Sequence, residues 1–166
     1  MPSSDSKKKH RDSRVTLREI TEQTLDAVLR LQVSEPQRRF VADNARSIAQ
    51  AHFSPYAWFR ATYADDTPVG FVMLWDDPDK PEYYLWRLMI DVRYQGNGFG
   101  RRAMELLIGH VKTRPNAKEL MTSVLQAAGG PQGFYERLGF VLTGDYEDGE
   151  AVMRLVLPEI DPRVNL

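Results

Sequence analysis

The stretch that most restricts how this chain can fold is an apolar run, Y-Y-L-W-R-L-M-I-D at residues 83–91, followed at once by a glycine-rich turn and a helical pattern. Nine residues are short for a helix, so the run reads as a central strand buried on both faces. Beyond it, R-Y-Q-G-N-G-F-G-R-R occupies 93–102, and residues 101–112 set Met104, Leu107, Ile108 and Val111 on one helical face that stops before Pro115. Strand, tight turn and helix in that order form a crossover, which calls for a parallel strand pair. Gly96, Gly98 and Gly100 at alternate positions bare successive backbone N–H groups, and the helix behind them points its positive end at the same place. That spacing suits a pyrophosphate cradle; a tight strand-to-helix turn without a ligand fits it as well. Arg101 and Arg102 add charge, although basic residues in a first turn oppose the helix dipole unless an anion is present. The spacing is not the G-x-G-x-x-G dinucleotide fingerprint, and no Lys-Ser/Thr pair follows as a triphosphate loop requires.

The rest of the chain supplies a sheet around this unit. Alternation of Val15, Leu17 and Ile20 predicts a first strand from Val15. Thr21 precedes Leu25, Val28, Leu29 and Gln32 at helical spacing, and a second helix is expected from about Val41 to His52. Residues 57–63 and 69–75, aromatic and β-branched, flank the polar turn 65–68 as a hairpin. Residues 119–125 read as a strand, 131–138 as a short helix, 140–142 as a strand start and 151–157 as a closing strand. The outcome is a mixed α/β domain over 15–158, between a basic tail (1–14) expected to be disordered and a short tail (159–166).

Composition narrows the chemistry. The 166 residues contain no cysteine, and His10, His52 and His110 lack metal-ligand spacing, so neither a metal nor a thiol nucleophile is expected. Residues 1–14 hold five Lys/Arg against two Asp, leaving 17 Lys/Arg against 21 Asp/Glu in the body. A mildly acidic body disfavours nucleic acid and suits a cationic partner. The polar start and the want of any eighteen-residue apolar run lead to the expectation of a cytoplasmic protein with no membrane partner.

At the glycine turn the sequence resembles the GNAT superfamily of acyl-CoA-dependent N-acetyltransferases, whose Q/R-x-x-G-x-G/A signature is met by Gln95, Gly98 and Gly100. Downstream, F-Y-E-R-L-G-F at 134–140 resembles the F/L-Y-x-x-x-G-F segment of the same fold. F-V-A-D-N (40–44), L-W-R-L-M-I-D (85–91) and G-E-A-V-M (149–153) are most similar to bacterial spermine/spermidine (diamine) acetyltransferases. The resemblance implies a GNAT-like α/β (α+β) fold with a mostly antiparallel central sheet, one parallel pair and flanking helices. It also implies acetyl-CoA as cosubstrate and direct attack by a primary amine, such as spermidine or spermine, in a ternary complex. Backbone groups of Leu88, Met89 and Ile90 would meet the pantetheine arm and the acetyl carbonyl; Gln95, Gly96, Asn97, Gly98, Phe99, Gly100 and Arg101 would hold the pyrophosphate. Tyr135 matches the tyrosine that gives a proton to the leaving thiolate, and a homodimer is implied because many relatives pair.

Departures are as informative. The position of a strand glutamate base in other polyamine acetyltransferases is occupied by Trp86, so the base is unassigned; Glu82 and Tyr84, acting through water, are candidates, each with solvated surface or core as the alternative. An Asn common seven residues before the tyrosine is Ala128, with Gln126 its possible substitute. Glu35 lies in the segment that lines the amine side of this fold and could pair with an ammonium, with an exposed loop acid as the alternative, and the aromatic Tyr56, Trp58, Trp75 and Trp86 could hold a cation over their faces, with core packing as the alternative. The open alternatives are transfer to an aminoglycoside-like amine, an amino acid or a protein amine, or a non-catalytic acyl-CoA-binding regulatory module.

Overall fold

Residues 11–159 are described by the structure, a computed structural model. Seven strands form one sheet in the order β1-β2-β3-β4-β5-β7-β6, with β1 (Val15–Arg18), β2 (Ala57–Ala64), β3 (Thr67–Asp77), β4 (Glu82–Ile90), β5 (Glu119–Val124), β6 (Val141–Glu147) and β7 (Glu150–Val156). The helices are α1 (Glu22–Leu29), α2 (Asn44–His52), α3 (Phe99–Lys112) and α4 (Gln132–Arg137), with 3-10 turns at Glu35–Gln37 and Val92–Tyr94. All neighbours pair antiparallel except β4 and β5, which run parallel because α3 carries the chain back across the sheet. This is the mixed, mostly antiparallel architecture expected from the sequence.

The core lies on both faces of the sheet. Strict alternation on β3 sends Val72 and Leu74 toward α3 and Phe71 and Met73 toward α1 and α2. On the first face, Ala103, Met104, Leu107 and Val111 of α3 are fully buried. On the second, Val28 of α1 and Ala51 of α2 pack beneath Phe71 and Met73.

One irregularity in β4 governs the rest. Met73 pairs with Arg87 but Leu74 pairs with Leu85, so Trp86 is an extra residue with no partner on β3, a β-bulge. Before it Tyr83 and Leu85 face the α3 side; after it Leu88 faces that side and Met89 the other, a parity shift of one. On its other edge β4 pairs with β5 at a single register position, Tyr84 with Met121, whereas β5 pairs with β7 over the whole of its own length. The two parallel strands therefore part beyond Tyr84.

Element ends differ from the sequence reading for local and tertiary reasons. The first helix stops at Leu29 and does not extend to Gln32, because the Gln32 N–H donates to Asp91 Oδ2 (3.0 Å) and its carbonyl accepts from the Val92 N–H (2.9 Å). The second begins at Asn44 and not near Val41, since the Asp43 carboxylate accepts from the Arg46 N–H at 2.7 Å and caps it. Ser13 is buried and Arg14 exchanges backbone and side-chain hydrogen bonds with Asp65, so the described body includes residues 13 and 14. Residues 1–10 and 160–166, where the two expected tails chiefly fall, lie outside the described residues.

Candidate active site

The parting of β4 from β5 opens a cleft of about 1020 Å³ lined by β4 from Tyr84 to Ile90, by Thr122, Ser123 and Val124 of β5, by the glycine turn and by Tyr135. Side chains, not a strand ladder, meet several backbone carbonyls along the parted stretch. Leu85 O accepts from the Thr122 hydroxyl (3.2 Å), Trp86 O from the Arg87 guanidinium (2.9 Å) and Ile90 O from the Gln95 amide (2.9 Å).

At the far end of β4, Gly96 and Gly98 both take φ of +79°, the left-handed region that glycine enters without strain. Gly98 is the N-cap of α3, so the turn delivers the chain directly into the helix at Phe99, two residues earlier than the sequence pattern suggested. A Cβ at Gly96 or Gly98 would meet no protein atom within 4 Å, whereas one at Gly100 would touch Phe134 and Ile90. The turn thus presents open space beside bare backbone at two glycines and packs at the third. Asn97 braces it by donating to Tyr94 O at 2.9 Å, and buried Phe99 anchors the start of α3.

Gln95 is a clasp. Its amide donates to Gln37 Oε1 (2.9 Å) and accepts from Gln37 Nε2 (3.2 Å), which ties the 3-10 turn Glu35–Gln37 to the glycine turn. Beyond that turn, Arg39 donates to Ala128 O at 3.0 Å, so residues 38–42 cross the cleft to the loop before α4. Asp91, 1 % exposed, fixes the same corner by accepting from Gln32 N–H, Arg93 N–H and Arg93 Nε. Burial alone would raise its carboxyl, yet the Arg93 side chain and the two backbone donors outweigh burial and hold it below the ordinary range.

Of the residues singled out in sequence, Leu88, Met89, Ile90, Gln95, Gly96, Gly98, Phe99, Gly100, Arg101, Tyr84, Trp86 and Tyr135 line this one cleft. Arg101 pairs with Glu105 at 3.2 Å and stays at the cleft wall; Arg102 turns away to the carbonyls of Ser13 (2.6 Å) and Arg11 (3.1 Å). Glu35 is exposed, pairs with Arg38 at 3.0 Å and is not among the lining residues. Glu82 is exposed at the start of β4, opposite Asp77, and also outside the lining. Gln126 is held by Gln132 and Tyr146, away from the cleft.

Tyr135 is 6 % exposed, wedged edge-on against Phe134 and Phe140. Burial pushes its phenol well up, a hydrogen bond with Thr122 opposes this, and the Glu150 charge adds to the rise. It therefore keeps its proton at neutral pH. Tyr84 is likewise pushed up to about 12, chiefly by burial, with Ser123 offsetting and Glu147 and Glu150 reinforcing. Such a phenol is a donor, not a base, and it donates to Glu147 Oε2 at 3.2 Å.

The sequence marks the two strands of the β6–β7 hairpin but not the acidic residues at its turn as part of the site. Glu147 and Glu150, opposite one another in register, bring carboxylates to the cleft together with Asp148, and Ser123 donates to Glu150 Oε2 at 2.6 Å. The G-E-A-V-M resemblance includes Glu150 without giving it a role, and nothing in spacing links the turn to β4. Among the described residues no group of three His, Asp or Glu side chains could hold a metal, and no helix is long and apolar enough to cross a membrane.

A splayed parallel pair with a glycine turn at the helix start, and a tyrosine at the cleft wall, is the layout of an acyl-CoA-dependent transferase, and residues 22–140 match the acetyltransferase (GNAT) family. The chain belongs to that family and is a GNAT N-acetyltransferase; the family uses acetyl-CoA. The spermine/spermidine N(1)-acetyltransferase of Bacillus subtilis (strain 168) is 27% identical over 146 residues, which cover 84% of this chain and 96% of that protein. Among solved structures, the ribosomal-protein-S18-alanine N-acetyltransferase from Escherichia coli superposes with a TM-score of 0.66 at 19% identity, covering 92% of this chain and 99% of that one. The spermidine N-acetyltransferase from Vibrio cholerae, in complex with CoA and spermine, gives 0.64 at 18% identity over 86% of this chain and 95% of that one.

Proposed function

We propose that this enzyme transfers acetyl from acetyl-CoA to a primary amine of a polyamine such as spermidine or spermine, by direct attack in a ternary complex. The observation that carries the reading is the distribution of charge along one continuous cleft. Bare backbone N–H groups at a helix start occupy the end of β4, a fit for a pyrophosphate. Near Tyr84, some 20 Å away along the strand, stand the Glu147, Asp148 and Glu150 carboxylates and the Tyr84 and Trp86 rings, a fit for a cationic chain. The similarity to a spermine/spermidine acetyltransferase over most of both chains supports the same acceptor.

In this reading Gln95, Gly96, Gly98, Phe99, Gly100 and Arg101 hold the pyrophosphate, with Gln95 doing so as part of the Gln37 clasp, while Asn97, which is not among the lining residues and donates to Tyr94 O, braces the turn. Backbone groups of Leu88, Met89 and Ile90 align the arm and polarise the acetyl carbonyl. Tyr135 donates its proton to the departing sulfur; its buried, raised phenol ensures that the proton is present. Trp86, set out of register by the bulge, and Tyr84 frame the acceptor. Glu35 and Glu82, outside the cleft lining, are given no part.

Release of free CoA thiol from acetyl-CoA tests this, offered with spermidine, spermine, a diamine, a lysine peptide and an aminoglycoside. The protein has no cysteine to react with the thiol reagent. Turnover with the polyamines is expected. Turnover confined to another amine would move the acceptor, and none at all despite acetyl-CoA binding would favour a regulatory role.

A further inference from the structure

The unassigned step is removal of a proton from the acceptor, since an ammonium has no lone pair with which to attack. Glu82 lies outside the cleft and Tyr84 is a donor, so neither does this. Three carboxylates of the β6–β7 hairpin reach the cleft, and they are not equivalent. Glu147 and Asp148 are exposed, and Glu147 is engaged by the Tyr84 hydroxyl; Glu150 is half-buried and accepts one hydrogen bond, from the uncharged Ser123 hydroxyl at 2.6 Å. Ser123 follows Thr122 on β5, and Thr122 bridges the opening by donating to Leu85 O of β4. Glu150 is therefore held where β5 faces the parted edge of β4. Glu150 lines the same cleft as Tyr84, Arg87 and Tyr135.

We propose that Glu150 is the general base of the transfer and that Ser123 is its positioning residue. This rests on the amine-acetylation reading above. The Glu150 carboxylate takes one proton from the acceptor ammonium and passes it to solvent, leaving a neutral amine. The nitrogen lone pair forms the C–N bond to the acetyl carbon as the carbonyl π pair moves to oxygen. When that pair returns, the C–S bond breaks and its electrons leave with sulfur, which takes the Tyr135 proton. The nitrogen sheds its second proton, restoring the phenol through solvent. The products are the N-acetyl amine, CoA thiol and one released proton.

The groups facing Glu150 are Tyr84 and Arg87 from β4, Ser123 from β5, Tyr135 from α4, and Glu147 and Asp148 from its own hairpin. Burial raises both phenols, so Tyr84 and Tyr135 stay protonated through the neutral range.

The test is the pH profile of kcat and kcat/KM for the wild type, Glu150→Gln and Ser123→Ala, with acetyl-CoA affinity by calorimetry alongside. Glu150→Gln should lower kcat about 100-fold or more at pH 7 while acetyl-CoA still binds. Its rate should then climb tenfold per pH unit toward the amine's own pKa near ~10, where the wild-type profile has flattened. An acceptor amine already neutral at pH 7 should recover most of the loss. Ser123→Ala should shift the profile the same way with a smaller drop in kcat; it also serves as the readout if Glu150→Gln does not fold. A Glu150→Gln enzyme with wild-type kcat and profile overturns the role of Glu150 and leaves amine acetylation standing. A lowered kcat whose profile and amine dependence match the wild type assigns Glu150 to packing, also against the proposal. A wild type that acetylates no amine removes the reading and this inference together.

Discussion

At the scale of single residues, the cleft separates those whose worth is chemical from those whose worth is conformational. Replacing Tyr135 by Phe removes one hydroxyl and keeps the ring contacts with Phe134 and Phe140. It should lower kcat about 100-fold with acetyl-CoA affinity almost unchanged; equal kcat would exclude Tyr135 as the acid. Gly98→Val acts in the opposite way. A valine at φ +79° is strained by about 1–3 kcal/mol, but its side chain meets no protein atom, so thermal unfolding should report that strain alone. Calorimetry should report a disproportionate loss of CoA affinity, because the space it fills is the space proposed for pyrophosphate. Asp91 is a third kind, a buried carboxylate that only builds. Its folded-state carboxyl sits below its unfolded value, so its contribution is complete above about pH 4 and fades as pH falls through the folded value. Asp91→Asn should cost about 2 kcal/mol at neutral pH and flatten the acid limb of a stability-against-pH curve.

Among elements, β4 decides most. Its bulge at Trp86 turns Leu88 back to the α3 side and leaves the strand edge toward β5 without a ladder, and the neighbouring β3 depends on Gly70 to lie this close. A Cβ at Gly70 would sit 2.5 Å from Met89 O and 2.6 Å from Ile90 Cδ1. Gly70→Ala should therefore destabilise by about 1–3 kcal/mol and raise the KM for acetyl-CoA as well, because the carbonyl it pushes lies on a cleft-lining residue. Denaturant melts together with the KM check this; a change in stability alone would mean that β4 yields elsewhere. The helices were legible as patterns while their ends were not. α3 advertises its buried face by spacing, yet α1 is cut short by Asp91, 59 residues away from the Gln32 amide it captures. No local propensity encodes such a stop.

For the whole molecule, the sheet ends on β6, an edge strand that exposes Val141, Leu142 and Tyr146, with Val156 exposed on β7 beside it. An open edge with apolar side chains is a pairing template, and we propose that two copies meet there as a homodimer. Light scattering should give twice the monomer mass, and Val141→Lys with Val156→Lys should return it to one; a monomeric wild type removes the proposal. The hairpin that carries Glu147 and Glu150 starts from this same edge strand, so the dissociated form should also show a higher KM for the amine.

What the sequence determined by itself was local in origin. Glycine is the residue that enters positive φ freely, so Gly96 and Gly98 marked the turn; the 3.6 periodicity of α3 marked its buried face, and the aromatic and β-branched run 69–75 marked β3 as a strand without saying which side chains face which helix. Tyr135, carried by a motif, could be named for the same reason. Tertiary structure alone decided the rest: where β4 leaves β5, that Gln37 clasps Gln95, that Glu35 and Glu82 stay outside the cleft, and that Ser123 meets Glu150 across 27 residues of chain. These are meetings between distant segments, fixed by strand register and by one inserted residue. A shift of a single residue in register reverses which face a side chain occupies, and nothing near that side chain in the sequence records it.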